Sequence, residues 1–213
     1  MNKAIRSFVL RQGRTTPAQQ RALEELFPKY GIAFSDEKIA SARQATLVLE
    51  IGSGMGEATV EIAKHHPEID FVAIEVHGPG VGSLLNRIHS SELKNLRVIR
   101  HDAVEVLERM VADGTLAALH VFFPDPWPKK RHHKRRLLQP AFVSLVGKKL
   151  APGGVAHLAT DWQEYADQMA AVFAASACFV ASDAALVTRP ATKFEQRGRR
   201  LGNPVRDLMF VRT

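Results

Sequence analysis

One carboxylate in this sequence stands between two prolines, in the run Phe122-Phe123-Pro124-Asp125-Pro126-Trp127-Pro128. Each proline fixes its own φ and removes an N–H donor, so Asp125 is held rigidly. Trp127 offers a face on which a base can stack. Directly after it, residues 129–136 carry six Lys and Arg and no acid. A rigid acid, an aromatic face and a cationic run within the twelve residues 125–136 suit a nucleic acid brought to an electrophile. His132 and His133 are adjacent, but with one cysteine in the chain and no carboxylate cluster beside them no metal is expected there.

A second constellation lies upstream. Glu50-Ile51-Gly52-Ser53-Gly54-Met55-Gly56 follows an apolar run and opens a helical pattern. Gly52, Gly54 and Gly56 let the backbone turn sharply and come within contact of a ligand. Glu75 stands 23 residues after Gly52, the separation at which an acid accepts hydrogen bonds from ribose hydroxyls. Both NAD and S-adenosylmethionine fit that combination. Glu50, directly before the loop, would repel a pyrophosphate but suits the cationic end of S-adenosylmethionine, so the methyl donor is favoured over a dinucleotide. Asp102 suits either the adenine amino group of such a cofactor or the N-cap of the helix predicted over 103–112.

These residues follow short apolar runs that alternate with helical patterns. Residues 46–51, 70–75, 95–100, 116–123 and 154–160 read as buried strands, because their apolar positions run on rather than strictly alternating. After Asp161, the positions Trp162, Tyr165, Ala166, Met169, Val172 and Phe173 make one helix face, with Asp161 and Glu164 as its capping box. Alternating β and α units predict a doubly wound, mostly parallel sheet with helices on both faces. In such a sheet ligands bind beyond the carboxyl ends of the strands, where both constellations fall. Residues 1–44 lie outside the pattern, as a basic N-terminal extension with a short amphipathic stretch at 17–27. The α/β domain then covers 45–213, with a long loop over 183–205 before a last strand at 206–212.

Composition excludes several classes. Apolar residues make up 46% and charged residues 24% of the 213 residues, which argues against a disordered or collagenous chain. No apolar run approaches the roughly 18 residues of a spanning helix, and no secretory signal is visible, so no membrane association is expected. Cys178 alone allows no internal disulfide, which fits a reducing cytoplasm. The net charge of +7 is unevenly placed: residues 129–136 contribute +6, 1–14 contribute +4 and 189–200 contribute +4, leaving −7 for the rest. An acidic body with three basic segments suits a polyanionic partner.

At these residues the sequence resembles the bacterial tRNA (guanine-N7)-methyltransferase family, whose members modify a guanine in the tRNA variable loop. The matching segments are Arg6-Ser7-Phe8-Val9 with Arg11-Gln12-Gly13-Arg14, the loop at 50–56, Ile74-Glu75-Val76-His77, the run at 124–136, Thr160-Asp161, and Thr192-Lys193-Phe194-Glu195-Gln196-Arg197-Gly198. The resemblance implies a Rossmann-like class I fold, S-adenosylmethionine as cofactor and tRNA as partner. It also implies that Glu50, Glu75, Asp102 and Asp125 contact the cofactor and that Asp125 is catalytic. Lys129, Asp161, Thr192, Lys193, Phe194 and Glu195 would contact substrate. Asn203 and Arg206 depart from the family's usual histidine and tryptophan, which bears on how the loop docks.

Guanine N7 has an in-plane lone pair and no proton, so its methylation needs no general base; position and a nearby negative charge are the demands. Three rival readings remain at this point. Asp125-Pro126-Trp127 loosely resembles the motif of exocyclic-amine methyltransferases, a non-catalytic RNA-binding module would keep the fold without the cofactor, and an NAD-dependent dehydrogenase would keep the glycine loop.

Overall fold

A computed structural model describes residues 6–9, 13–41, 43–190, 195 and 204–213. Among the described residues seven strands form one sheet in the order β3-β2-β1-β4-β5-β7-β6. Strands β1 (Leu47–Ile51), β2 (Asp70–Ile74), β3 (Leu96–Ile99), β4 (Leu116–Phe122) and β5 (Leu150–Thr160) run parallel. β7 (Arg206–Arg212) is antiparallel to β5, and β6 (Phe179–Ser182) is antiparallel to β7. The strand order reverses between β1 and β4, so a crevice opens beyond their carboxyl ends.

Alternation persists even within buried strands. Leu47, Leu49 and Ile51 point into one apolar core; Val48 points into the other. The first core is closed by α5 (Ala103–Met110), α6 (Pro140–Lys149) and α7 (Gln163–Ala174), the second by α3 (Glu57–His65) and α4 (Gly78–Ser90). α1 (Pro17–Glu25) starts on a capping box in which Thr16 accepts from the Gln19 N–H, and α2 (Phe27–Tyr30) follows directly. Ala22 of α1 and Tyr30 of α2 are buried against the second core, so the described part of the N-terminal extension is packed onto the sheet.

The structure differs from the sequence reading in several places, among them β5, which begins at Leu150 where the expected run begins at 154. β6 lies where no strand is expected; only Phe179 of its four residues is buried, too short a pattern to register as a period. Helix α7 begins one residue later than the expected capping box requires. Trp162 takes the N-cap position without a side-chain bond, Thr160 Oγ1 accepts the Trp162 N–H at 3.2 Å, and Glu164 turns away towards Arg136. Trp162, expected on the apolar face of that helix, is 38% exposed.

Candidate active site

Four strand ends meet around a cavity of about 400 Å³, a size suited to a small-molecule cofactor. Gly52 after β1, Glu75 and His77 after β2, His101 after β3, and Phe123 and Asp125 after β4 all line it. Ser7, Phe8 and Val9 complete the wall from the N-terminal segment, and the Trp127 indole N–H donates to the Ser7 carbonyl at 3.1 Å. Sequence spacing gives no sign of that contact, which spans 120 residues.

Gly52, Gly54 and Gly56 have φ of +79°, +56° and +79°, the left-handed region that side chains disfavour. A Cβ on Gly56 would also overlap Leu84 of α4, whereas among the described residues nothing beyond the adjoining loop residues lies within 4 Å of where Gly52 or Gly54 would carry one. The loop is thus fixed from behind and open in front. Ser53 Oγ is buried there without a partner among the described residues, a polar atom suited to a polar ligand. Glu75 is 9% exposed and fixes the loop further: its Oε2 accepts the Gly54 N–H at 2.8 Å and its Oε1 the His77 N–H at 2.9 Å. Each oxygen keeps a second lone pair for a ligand hydroxyl.

Glu50 stands behind the loop, 4% exposed, accepting the Thr59 hydroxyl at 3.0 Å. Burial pushes its carboxyl up to about 7; the Thr59 bond opposes that rise and the Glu75 charge adds to it. An acid so destabilised as an anion gains most from a cation. Asp102 caps α5, its Oδ1 accepting the Val104 N–H at 2.8 Å, which leaves Oδ2 available. Of the expected cofactor residues, then, Gly52, Glu75 and Asp125 line the cavity, while Glu50, Gly54, Gly56 and Asp102 lie outside its lining.

Asp125 is exposed at the rim, and no hydrogen bond or ion pair from the described residues reaches its carboxylate. The turn around it is strained: Phe123 has φ +50° and Trp127 +46°, conformations that persist only where surroundings enforce them. Arg136 supplies part of that enforcement. Its Nε donates to the Pro126 carbonyl at 2.7 Å, one Nη to Gln168 at 2.6 Å and the other to Glu164 at 3.3 Å, with the guanidinium over the Tyr165 ring. This corrects the reading of residues 129–136 as one cationic face, because the Arg136 side chain is 1% exposed. Lys129, Lys130, Arg131 and Lys134 do face solvent, on and before a 3-10 helix over Lys130–Arg135. Trp127 is not a bare stacking platform either, since Arg135 lies over its ring at 5.2 Å and His132 meets its edge. Among the described residues no group of three His, Cys, Asp or Glu is placed to hold a metal.

Asp161 follows β5 at the same sheet edge, half-buried, and the Phe123 N–H donates to Ala159 two residues earlier. Glu195 is 1% exposed and ion-paired to Arg189 at 2.5 Å. Arg206 begins β7 and donates to Gln163 at 3.1 Å. Thr192, Lys193, Phe194 and Asn203 lie outside the described residues, as do Arg11 and Gln12. The sequence reading assigned no role to His77, quoted only within a matching segment, or to His101, both of which line the cavity, nor to Arg189 beyond its charge. The first two sit just past strand ends, a signal that was available; Arg189 carried none.

Residues 44–208 match a family described as "Putative methyltransferase". A tRNA (guanine-N(7)-)-methyltransferase of Nitrosomonas europaea is 53% identical, covering 98% of this chain and 97% of its own. One of the same name from Thiobacillus denitrificans is 56% identical over 98% and 95%. Among solved structures, the precorrin-6y C5,15-methyltransferase of Geobacter metallireducens has a TM-score of 0.55 at 11% identity, covering 95% of this chain and 92% of that one, a likeness of fold.

Proposed function

The chain belongs to the tRNA (guanine-N(7)-)-methyltransferase family, and on that premise we propose that it methylates N7 of a guanine in the variable loop of tRNA from S-adenosylmethionine. The observation that carries this reading is the placement of Asp125, whose carboxylate accepts no hydrogen bond from the described residues, on a strained, proline-flanked turn at the rim of a cavity lined by Gly52 and Glu75. When bound, S-adenosylmethionine supplies a methyl group activated by sulfonium.

The protein's own residues then have distinct tasks. Glu75 offers lone pairs to the ribose hydroxyls, Glu50 offers negative charge to the ammonium end, the Gly52–Gly54 backbone admits the ligand closely, and Asp102 accepts from the adenine amino group. Asp125 holds the target base by accepting from guanine N1–H and N2–H, which raises electron density at N7 and opposes the positive charge that develops on the purine. Adenine presents a different edge and is disfavoured. Lys129, Asp161 and residues 192–194 hold the RNA around the base, with 183–205 as the substrate loop of the 45–213 unit; Glu195, expected to touch substrate, is buried against Arg189 and supports that loop from within. A tRNA substrate and the exposed free Cys178 support a cytoplasmic place of action.

Incubation with labelled S-adenosylmethionine and unmodified bulk tRNA, followed by nucleoside digestion, tests the reading. Label is expected in N7-methylguanosine; label in an N6-methyladenosine fraction would move the enzyme to the exocyclic-amine class, and none at all would leave an RNA-binding module.

Glu50 adds a pH signature. Its carboxyl titrates near 7 in the free protein, and a bound ammonium favours the anion, so below pH 7 binding must expel a proton. Cofactor affinity is expected to fall by about fivefold between pH 7 and 6, steepening towards about tenfold per unit below that, and to level off above about pH 8 as far as Glu50 is concerned. Calorimetry at pH 6 should register release of nearly one proton, and Glu50→Gln should abolish both effects. An affinity independent of pH between 6 and 7.5 would remove Glu50 from the ligand's charge environment.

A further inference from the structure

Arg189 makes contacts that neither cofactor binding nor phosphate binding explains. Its side chain is 5% exposed although it lies in the loop after β6. Nε and Nη2 bond the two carboxylate oxygens of Asp207 on β7, each at 3.0 Å, a bidentate fork. Nη1 bonds Glu195 at 2.5 Å and reaches the Pro190 carbonyl at 3.4 Å. Every guanidinium nitrogen is therefore engaged. The guanidinium also lies over the rings of Phe122 at 5.6 Å and Phe123 at 5.2 Å.

These contacts join three parts of the molecule. Asp207 is anchored to the sheet, paired in register with Ala159 of β5 and accepting from His157 Nε2 at 3.1 Å if that nitrogen carries the proton. Phe122 ends β4, and Phe123 follows it in the left-handed conformation and leads through Pro124 into Asp125. Glu195 closes the stretch 189–195, which begins at Arg189 itself. Among the described residues Arg189 is the cation that contacts both carboxylates, so a neutral side chain at 189 would strip Asp207 and Glu195 of this shared partner and remove the cover from the Phe123 ring.

We propose that Arg189 is a positioning residue for methyl transfer, fixing the Phe122–Phe123 backbone that carries Asp125 and, through Glu195, the loop that follows. Glu195 acts here as the anchor of that loop, its carboxylate turned inward to Arg189. The inference rests on the proposed reaction. It assigns no contact with substrate to either residue; both act through Asp125 and the loop's placement.

The experiment compares wild type with Arg189→Ala, Arg189→Lys and the double variant Arg189→Ala/Glu195→Ala, in single-turnover transfer at saturating tRNA and cofactor, with cofactor affinity measured by calorimetry. Wild type must first methylate tRNA; its failure would end the proposed reaction before any variant is read. Arg189→Ala is expected to slow transfer by about 50-fold with cofactor affinity within about threefold of wild type, a loss in the chemical step rather than in binding. Lysine keeps the charge without the fork and the flat face, so Arg189→Lys should remain slower by about tenfold. Added guanidinium should restore Arg189→Ala above its rate in the same concentration of sodium chloride, a rescue that a general loss of stability would not give. The double variant should be no slower than Arg189→Ala, because the two residues act as one unit. Should Arg189→Ala fail to fold, Arg189→Lys decides. A wild-type rate in Arg189→Lys, or in Arg189→Ala a rate loss matched by the loss of cofactor affinity with no guanidinium rescue, overturns the proposal.

Discussion

Asp125→Ala is expected to lower the single-turnover rate of methyl transfer to tRNA by a factor of about 10² or more, on the order of 3 kcal/mol of transition-state stabilisation. The size follows from what the carboxylate does in the structure, where it lines the cavity rim and no described residue hydrogen-bonds it. Among the described residues no hydrogen bond or ion pair depends on its charge. Thermal stability should therefore change by less than about 0.5 kcal/mol, as for other exposed substitutions. Asp125→Asn makes the harder demand on the electrostatic argument, since it preserves size and one acceptor. It should lose most of the same rate, because an amide cannot oppose the charge that moves from sulfur to the purine. A wild-type rate in Asp125→Asn, measured at saturating tRNA and cofactor, would show that charge at this position does not matter.

The cavity's framework was legible in the sequence because burial on both faces leaves long apolar runs and because a glycine loop leaves its spacing behind. β1, β2, β3 and β4 fall within a residue or so of the expected runs, and the last strand falls on 206–212 as read. Orientation was less legible. Charge and aromaticity are visible in a sequence, but the direction in which a side chain leaves the backbone is set by packing. Trp127 and Trp162 exchange their expected roles for this reason: the first is covered by Arg135 and His132, the second is exposed at the N-terminus of α7. Arg136 and Arg189 count as surface cations in any charge sum, yet both turn inward to carboxylates and aromatic rings. The two lie on opposite sides of Asp125 in their contacts: Arg136 bonds the Pro126 carbonyl, and Arg189 covers the rings of Phe122 and Phe123.

Arg136→Ala should accordingly behave as a stability variant and not as an RNA-binding one. It strips the Pro126 carbonyl and Gln168 of a charged donor, uncovers the Tyr165 ring and opens space in a site where the side chain is 1% exposed. Glu164, 58% exposed, can return to water, which moderates the loss. A destabilisation of about 3 kcal/mol is expected, from an unsatisfied buried acceptor together with a lost charged hydrogen bond. For a chain of this length that is a fall in Tm of roughly 6–12 °C. The triple variant of Lys130, Arg131 and Lys134 to alanine provides the contrast, since all three are exposed on the 3-10 helix. Its Tm should barely move, while its tRNA affinity falls about equally across tRNA sequences, because phosphate contacts position without reading bases. Each lost contact flattens the dependence of log affinity on log salt by about 0.7–0.9, so the slope should shrink by about 2–3. Thermal melts and titrations at several salt concentrations separate the two variants. An Arg136→Ala protein of undiminished Tm but reduced salt slope would return that arginine to the phosphate surface, and an unchanged slope in the triple variant would reduce the exposed run to a solvated face.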